Sequence, residues 1–216
     1  NLENNSTLDV FGVLKSHSKI NNNGQITFKS NATSTAQFDE FTGSYSGTGI
    51  VELERYIPAG KRAFRLLSPS VTTTSSIYAN WQENGATPTG FGTHITGSAT
   101  GANGFDQTAT GNSSLFTFNN ALEVQNNGAA WTPIANTNVN TLTAGSPYRL
   151  FVRGDRNVDL TSNEATATAT TLRATGSLHT GNYSPYISAH DGNYNFIGNP
   201  YQAAVDFNQL TFGGDI

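Results

Sequence analysis

The chain has 216 residues and a formal net charge of −4, and it contains neither cysteine nor methionine. Disulfides and thiolate metal sites are therefore excluded. A nucleic-acid partner is not expected, because neutralising phosphates requires a clustered excess of Lys and Arg. No run approaches about 20 apolar residues, so no membrane span is predicted. Only 12% of residues are charged, and Asn, Thr, Ser and Gly, the residues of turns and solvated strand faces, take their place. This composition predicts an all-β protein.

Short runs with strand-like alternation recur along the chain, separated by polar, glycine-containing clusters. In one of them Val51, Leu53 and Arg55 occupy one face of the strand. The predicted strands are 8–14, 25–29, 48–57, 63–67, 76–81, 114–119, 131–134, 147–153, 167–173 and 194–197. The one helical candidate is 202–210. Many short strands with such turns predict a β-sandwich or jelly-roll-like fold.

Two units are predicted along the chain. Residues 1–45 form an N-terminal β segment, in which 8–14 and 25–29 are two rungs of a short stacked structure, and residues 46–216 form the β-sandwich domain. The small and polar run FTGSYSGTG (41–49) marks the boundary, although the first segment can also belong to the same domain. The last block stops at 213–216 without a closing strand. We therefore expect a C-terminally truncated sandwich with an open sheet edge, and open edges recruit partner strands.

The segment RGDRNVDLTSNE (153–164) is a candidate calcium site. Asp155, Asn157 and Asp159 have the spacing of oxygen ligands that begins an EF-type loop. Other residues stand where that loop needs its glycine and its bidentate glutamate, so an EF-hand is excluded. Two interpretations stay open: a looser calcium site closed by backbone carbonyls and Glu164, and a polar loop whose Asp and Asn bond their own backbone. In the second interpretation an arginine of the segment pairs with one of its aspartates.

A loop near the C-terminus carries aromatic residues interleaved with amides and acids. Tyr183, Tyr186 and Tyr194 offer rings on which sugars can stack, and Asp191 and Asn193 offer partners for sugar hydroxyls. The pattern indicates a glycan-binding site. Loops of turn-rich β proteins that bind nothing have a similar composition, and this interpretation stays open beside it.

No convincing catalytic constellation is found, and we do not expect an enzyme. The alternative with some basis is a glycosidase pair formed by Glu52 and Glu54, which share one face of a predicted strand. An ordinary solvated strand face explains the same spacing more simply.

Five sequence blocks resemble, in the same order, a region of large Bacteroidota surface proteins exported by the type IX secretion system. They are VELERYIPAGKRAFRLLSPSV (51–71), GFGTHITGSATGANGFD (90–106), YRLFVRGDR (148–156), TTLRATGSL (170–178) and YNFIGNPYQAAVDFNQL (194–210). As a set they are specific, and each block alone is weak. In those proteins such a region precedes a C-terminal sorting domain.

The resemblance implies an extracellular location at the bacterial cell surface and an adhesive or structural role, including that of a fibre or filament building block. The expected partners are other copies of the chain, neighbouring domains of a parent protein and surface glycans. A carbohydrate-binding module of a secreted multidomain protein is the alternative function.

Overall fold

The computed structural model describes residues 1–122, 125 and 128–210, and it is all-β. The first strands are β1 (Leu2–Asn4), β2 (Thr7–Val10), β3 (Val13–Ser16), β4 (Ile20–Asn22), β5 (Gln25–Phe28), β6 (Gln37–Phe41), β7 (Tyr45–Ser46) and β8 (Ile50–Ile57). They are followed by β9 (Ala63–Leu67), β10 (Val71–Thr73), β11 (Thr96–Ser98), β12 (Asp106–Gln107), β13 (Leu115–Phe118), β14 (Trp131–Pro133), β15 (Tyr148–Val152) and β16 (Thr170–Leu178). No helix of the described residues is long and apolar enough to cross a membrane.

The N-terminal strands form stacked coils of a parallel β-solenoid. The chain runs through β1, β2 and β3, then through β4, β5 and β6 directly beside them, and then through β7 and the start of β8. Every pairing between successive coils is parallel. Leu2 pairs with Ile20, 18 positions later, whereas Ile20 pairs with Tyr45, 25 positions later. The predicted stacked β segment is present, and its unequal coil lengths hide the repeat in the sequence.

A buried asparagine pair links the coils from within. Asn22 is fully buried, and its Oδ1 accepts a hydrogen bond from Asn4 Nδ2 at 2.8 Å. Its own Nδ2 donates to the Ile50 carbonyl oxygen and to the Tyr45 hydroxyl, both at 3.1 Å. One side chain therefore connects three coils, and its polar atoms are satisfied as buried polar atoms need to be.

The run 41–49 is a tightly packed corner of the solenoid. Gly47 has φ +105°, and a Cβ there would overlap the Asn22 carbonyl oxygen of the preceding coil. A Cβ on Gly43 would likewise overlap the Ser18 carbonyl oxygen. The small residues that suggested a domain boundary are thus required for close stacking of the backbone.

Two sheets form a sandwich around one core, and one of them includes β2 and β5 of the solenoid. One sheet has five strands in the order β10-β16-β8-β5-β2, and the other has four in the order β14-β13-β15-β9. Inward-facing side chains such as Val51, Leu150 and Leu172 are buried between them. Trp81 and Tyr148 are also buried and meet edge to face at 5.5 Å. The predicted sandwich class is confirmed.

Strand β8 belongs to both parts of the fold. Its first residues pair in parallel with β5 of the solenoid, and Val51–Ile57 pair antiparallel with β16 of the sandwich. The boundary predicted between residues 45 and 46 lies inside β7, and one continuous sheet connects the residues before and after it.

Four predicted elements differ from the structure, and the first of them, 8–14, is divided by a bend at residues 11–12 into parts of β2 and β3. Residues 76–81 form turns, because Asn80 Nδ2 bonds the carbonyl oxygens of Ser75 and Ser76 and draws the backbone into a tight bend. Such local side-chain bonds compete with strand pairing. No strand forms at 194–197, and the predicted helix 202–210 is reduced to a 3₁₀ turn at Phe207–Gln209. Residues 211–216, on which the expected C-terminal edge depends, lie outside the described residues.

Candidate functional site

The segment proposed for calcium is organised around a buried aspartate. Asp155 is 3% exposed, and its Oδ2 accepts a hydrogen bond from Gly90 N at 2.7 Å. Its Oδ1 accepts from Asn157 N at 3.1 Å and from Thr168 Oγ1 at 3.0 Å. Burial alone would raise the pKa of Asp155, but these hydrogen bonds outweigh burial and lower it. Asp155 thus joins segments distant in the sequence.

The other proposed calcium ligands lie at the surface. Asn157, Asp159 and Glu164 are exposed. Asp159 Oδ1 accepts hydrogen bonds from the Thr161 amide at 2.8 Å and from the Thr161 hydroxyl at 2.7 Å. Among the described residues no group of three or more His, Asp or Glu side chains could hold a metal ion. The calcium site formed by Asp155, Asn157, Asp159 and Glu164 with backbone carbonyls stays a prediction.

Of the two arginines of this segment, Arg156 pairs with an aspartate that lies outside the segment. Arg156 donates to both carboxylate oxygens of Asp106, at 2.9 and 2.8 Å, and is buried. The expected partners Asp155 and Asp159 are not involved. Arg156 Nε also donates to the Ala86 carbonyl oxygen at 2.7 Å. The segment is therefore fastened to the protein interior rather than to itself.

The proposed glycan-binding residues do not share one environment. Tyr186 and Tyr194 are 62% and 73% exposed, and Asp191 is also exposed. Tyr183 is half-buried, with its hydroxyl donating to the Gly145 carbonyl oxygen at 3.0 Å. Asn193 Nδ2 donates to the Leu122 carbonyl oxygen at 3.0 Å. Two rings are therefore available to a ligand, while Tyr183 and Asn193 hold the loop in place.

The loop is held by the amide side chains of Asn120 and Gln125. Asn120 Nδ2 donates to the carbonyl oxygens of Tyr186 and Phe196, at 3.2 and 3.0 Å. Gln125 both accepts from the Tyr194 amide and donates to its carbonyl oxygen. The backbone that carries both exposed tyrosines is thus hydrogen-bonded although it belongs to no strand.

The two glutamates of the glycosidase alternative have unequal surroundings. Glu54 is buried, and its carboxylate bonds Lys29 Nζ at 2.5 Å and the Ser30 amide at 3.1 Å. Glu52 is half-buried, and burial raises its pKa even though the nearby Arg173 lowers it. Glu54 is thereby occupied by structural contacts that tie the solenoid to β8.

The outer face of the four-stranded sheet carries arginines among aromatic rings. The guanidinium of Arg149 lies 4.9, 4.6 and 4.8 Å from the ring centroids of Phe64, Phe116 and Trp131. Arg153 lies 4.7 Å from the ring of Phe151. Each contact is a cation–π interaction, which stabilises an exposed apolar surface. This arrangement was not predicted, although the alternation YRLFVR (148–153) places Arg, Phe and Arg on one face.

A cavity of about 300 Å³, which was not predicted from the sequence, lies between the two sheets. Its walls include Leu53 and Leu172 of the five-stranded sheet and Leu67 at the end of β9. Asn199 and Gln202 line it from the C-terminal segment, and Arg55 is the lining residue with a cationic side chain. Three of the five blocks quoted for the family resemblance contribute residues to these walls, namely 51–71, 170–178 and 194–210.

The signal for this cavity lies in the pattern of β8. Arg55 follows Val51 and Leu53 at a period of two, so it occupies an inward-facing position that apolar residues normally fill. A charged residue in such a position indicates either an internal partner or a solvent-accessible cavity.

Neither family models, nor curated proteins, nor solved structures show a match to this chain.

Proposed function

We propose that the chain is a non-enzymatic structural or adhesive domain of a secreted bacterial surface protein, in which the sandwich terminates a β-solenoid stalk. The extracellular location is supported by the resemblance of the five sequence blocks to Bacteroidota surface proteins. The building-block role is supported mainly by the first coil, because β1, β2 and β3 each pair on one side only within the described residues.

The open side of the first coil has the chemistry to accept another coil. Ser6 and Val10 direct their carbonyl oxygens to β5, where they accept from the amides of Gln25 and Lys29. Since alternate residues of a strand direct their backbone groups to opposite sides, Asp9 presents its N–H and C=O outward. Such an edge pairs readily with a further strand.

Light scattering over a range of concentrations, with negative-stain imaging, tests the proposal on the whole chain. The probe is a second copy, which the proposal docks end to end at the open coil. Because such a contact is self-complementary and closes, we expect dimers. In a longer parent protein, a further coil would pair with this same open edge.

Two substitutions at one position make the test specific. Asp9→Pro removes an outward N–H and should abolish dimers, whereas Asp9→Ala keeps that N–H and should leave dimers intact. Asp9 is exposed, so neither change disturbs the core. A monomer at every concentration, or equal association of both variants, would reject assembly through the coil.

A carbohydrate-binding module is the second candidate, favoured by the exposed rings of Tyr186 and Tyr194. Binding on a glycan array that is lost in Tyr194→Ala but retained in Phe11→Ala would support it. Phe11 is 62% exposed and is an aromatic residue of the N-terminal coils, outside the loop that carries Tyr186 and Tyr194. An array without hits would end this alternative.

A further inference from the structure

The cavity between the sheets contains a cation without an internal partner. Within the described residues, the guanidinium of Arg55 forms no ion pair, and none of its nitrogens donates a hydrogen bond. It differs in this respect from Arg156 and Arg173, whose guanidinium groups bind Asp106 and Glu83. Five N–H donors of a planar fork are therefore available at the cavity wall.

Three other polar groups at the wall already form hydrogen bonds. Ser70 Oγ donates to the Tyr201 carbonyl oxygen at 2.9 Å, and Gln202 Nε2 donates to the Ala36 carbonyl oxygen at 2.7 Å. Ser68 Oγ donates to the Asn199 carbonyl oxygen at 3.2 Å. The C-terminal segment is thus fixed over the cavity, and the Arg55 guanidinium is the group left to meet a ligand.

The charge of Arg55 is poorly solvated where it stands. The Arg55 side chain is exposed to solvent over part of its surface. The protein atoms around its guanidinium nevertheless exclude part of the water, and this desolvation lowers the pKa of Arg55. A desolvated charge is destabilising unless an opposite charge pairs with it. The neighbouring Glu54 does not serve this purpose, because Lys29 and the Ser30 amide hold its carboxylate.

We propose that this cavity binds a small organic carboxylate, with the carboxylate on Arg55 and an apolar body against Leu53, Leu67, Trp81 and Leu172. The guanidinium fork matches the two oxygens of a carboxylate in bidentate geometry. The volume of about 300 Å³ lies at the small end of ligand pockets, which span roughly 300–1,000 Å³. A phosphate dianion fits less well, because Arg55 is the one cationic residue among the described residues that line the cavity, and the second negative charge would stay unpaired. This inference is independent of the stalk proposal, since it concerns a cavity of the sandwich and not the open coil of the solenoid.

Benzoate and benzamide are the matched probes, because they share a ring and differ in charge. In an NMR titration of the whole chain, benzoate should shift the backbone amides of Leu53, Arg55, Leu172 and Gln202. Benzamide should bind at least about tenfold more weakly, because a hydrogen bond to a charged partner is the stronger one. Inorganic phosphate is expected to bind more weakly than benzoate.

Three variants assign the effect to the guanidinium. Arg55→Gln should remove the preference for benzoate over benzamide, and Arg55→Lys should reduce it, because an ammonium lacks the planar fork. Arg65→Gln is the control, since Arg65 is an arginine of β9 that does not line the cavity. Folding is checked by the melting temperature, which should not fall in Arg55→Gln, because that variant removes an unpaired, desolvated charge.

Several results would overturn the proposal. Equal binding of benzoate and benzamide would show that charge does not contribute to binding. Chemical-shift changes confined to other parts of the chain would show that the ligand binds outside the cavity. Phosphate binding tighter than benzoate would reject the carboxylate class. If the spectrum does not change at benzoate concentrations up to about 50 mM, the binding free energy is weaker than about 2 kcal/mol. That result would reject the site itself.

Discussion

Asp106 and Arg156 are 50 positions apart in the sequence and are joined by two hydrogen bonds of 2.8 and 2.9 Å. Arg156 also reaches the Thr93 carbonyl oxygen at 3.1 Å, and Asp106 accepts from the Ile95 amide at 2.9 Å. This buried pair therefore holds together the segments around residues 93–95, 106 and 156, which contain few strands.

Asp106→Asn should be strongly destabilising at neutral pH. The substitution leaves the buried Arg156 without its counter-charge, which typically lowers the free energy of unfolding by about 3–5 kcal/mol. Asp159→Asn is the control, because Asp159 is exposed and bonds within its own loop. Urea unfolding at pH 7 measures both. Similar losses in the two variants would contradict the role assigned to the pair.

The same pair predicts the direction of the pH dependence. Burial alone would raise the pKa of Asp106, but the interactions with His94 and Arg156 hold it well below its ordinary value. His94 Nδ1 stands 3.4 Å from Asp106 Oδ1, a loose contact, so Arg156 is the principal partner. The stabilisation is present above about pH 4, where an unfolded aspartate ionises, and is lost as the pH falls through the folded-state pKa. The difference between Asp106→Asn and the parent chain should therefore shrink in strong acid.

Glu52→Gln should have the opposite effect on stability. Burial raises the pKa of Glu52 in the folded chain, so its ionisation at neutral pH opposes folding. Replacing it with a neutral isostere should raise the free energy of unfolding at pH 7. The gain should disappear as the pH falls through the raised pKa towards the ordinary value near 4, because Glu52 is then protonated in the parent chain.

Urea unfolding at pH 7 and pH 4 tests this sign, with the exposed Glu40→Gln as control. A Glu52→Gln chain less stable than the parent at pH 7 would show that the attraction of Arg173 outweighs burial.

Gly47→Ala should destabilise the solenoid, whereas Gly12→Ala should not. Gly47 combines φ +105° with a backbone carbonyl where a Cβ would lie, and nothing lies within 4 Å of a Cβ added at Gly12. Strain of this kind amounts to about 1–3 kcal/mol per residue, and the overlap adds to it. Thermal unfolding followed by circular dichroism compares the two variants. Equal melting temperatures would contradict the tight corner at 41–49.

The calcium prediction is best tested at Asp159. If the segment 153–164 binds calcium, adding the ion should raise the melting temperature, a chelator should reverse the rise, and Asp159→Ala should abolish the response. Asp155→Ala is a poor probe, because loss of its hydrogen bonds to Gly90 and Thr168 destabilises the chain with or without metal. A melting temperature independent of calcium would leave the hydrogen-bonded polar loop as the explanation of the pattern.

Local patterns identified much of the sandwich, because its strands alternate over enough residues to be recognised. The strand predicted at 63–67 is observed with the same bounds, and 147–153 contains β15. The strands β1, β4 and β7 were missed because they span two or three residues, too few to show a period of two. Residues 76–81 misled the prediction because their apolar alternation is overruled by the side-chain bonds of Asn80.

The candidate sites were harder to predict, because they depend on contacts between distant segments. The pattern in 153–164 located Asp155 and Arg156, but their partners Gly90 and Asp106 could not be read from that segment. Arg55 was placed on the correct face of its strand, yet the cavity beside it exists only because the C-terminal segment closes over two sheets.

Strand β8 also determines how the molecule transmits mechanical tension. A force along the stack of coils pulls on the hydrogen bonds between neighbouring strands, and these pairings lie in series. The third coil is held to the second by two residue pairs at β4–β7 and four at β5–β8, whereas β8 and β16 share seven. Under such a pull the solenoid should part between its second and third coils while β8 stays anchored in the sandwich. In single-molecule pulling, the coils should therefore extend before the sandwich, and the sandwich should act as the fixed end of the stalk.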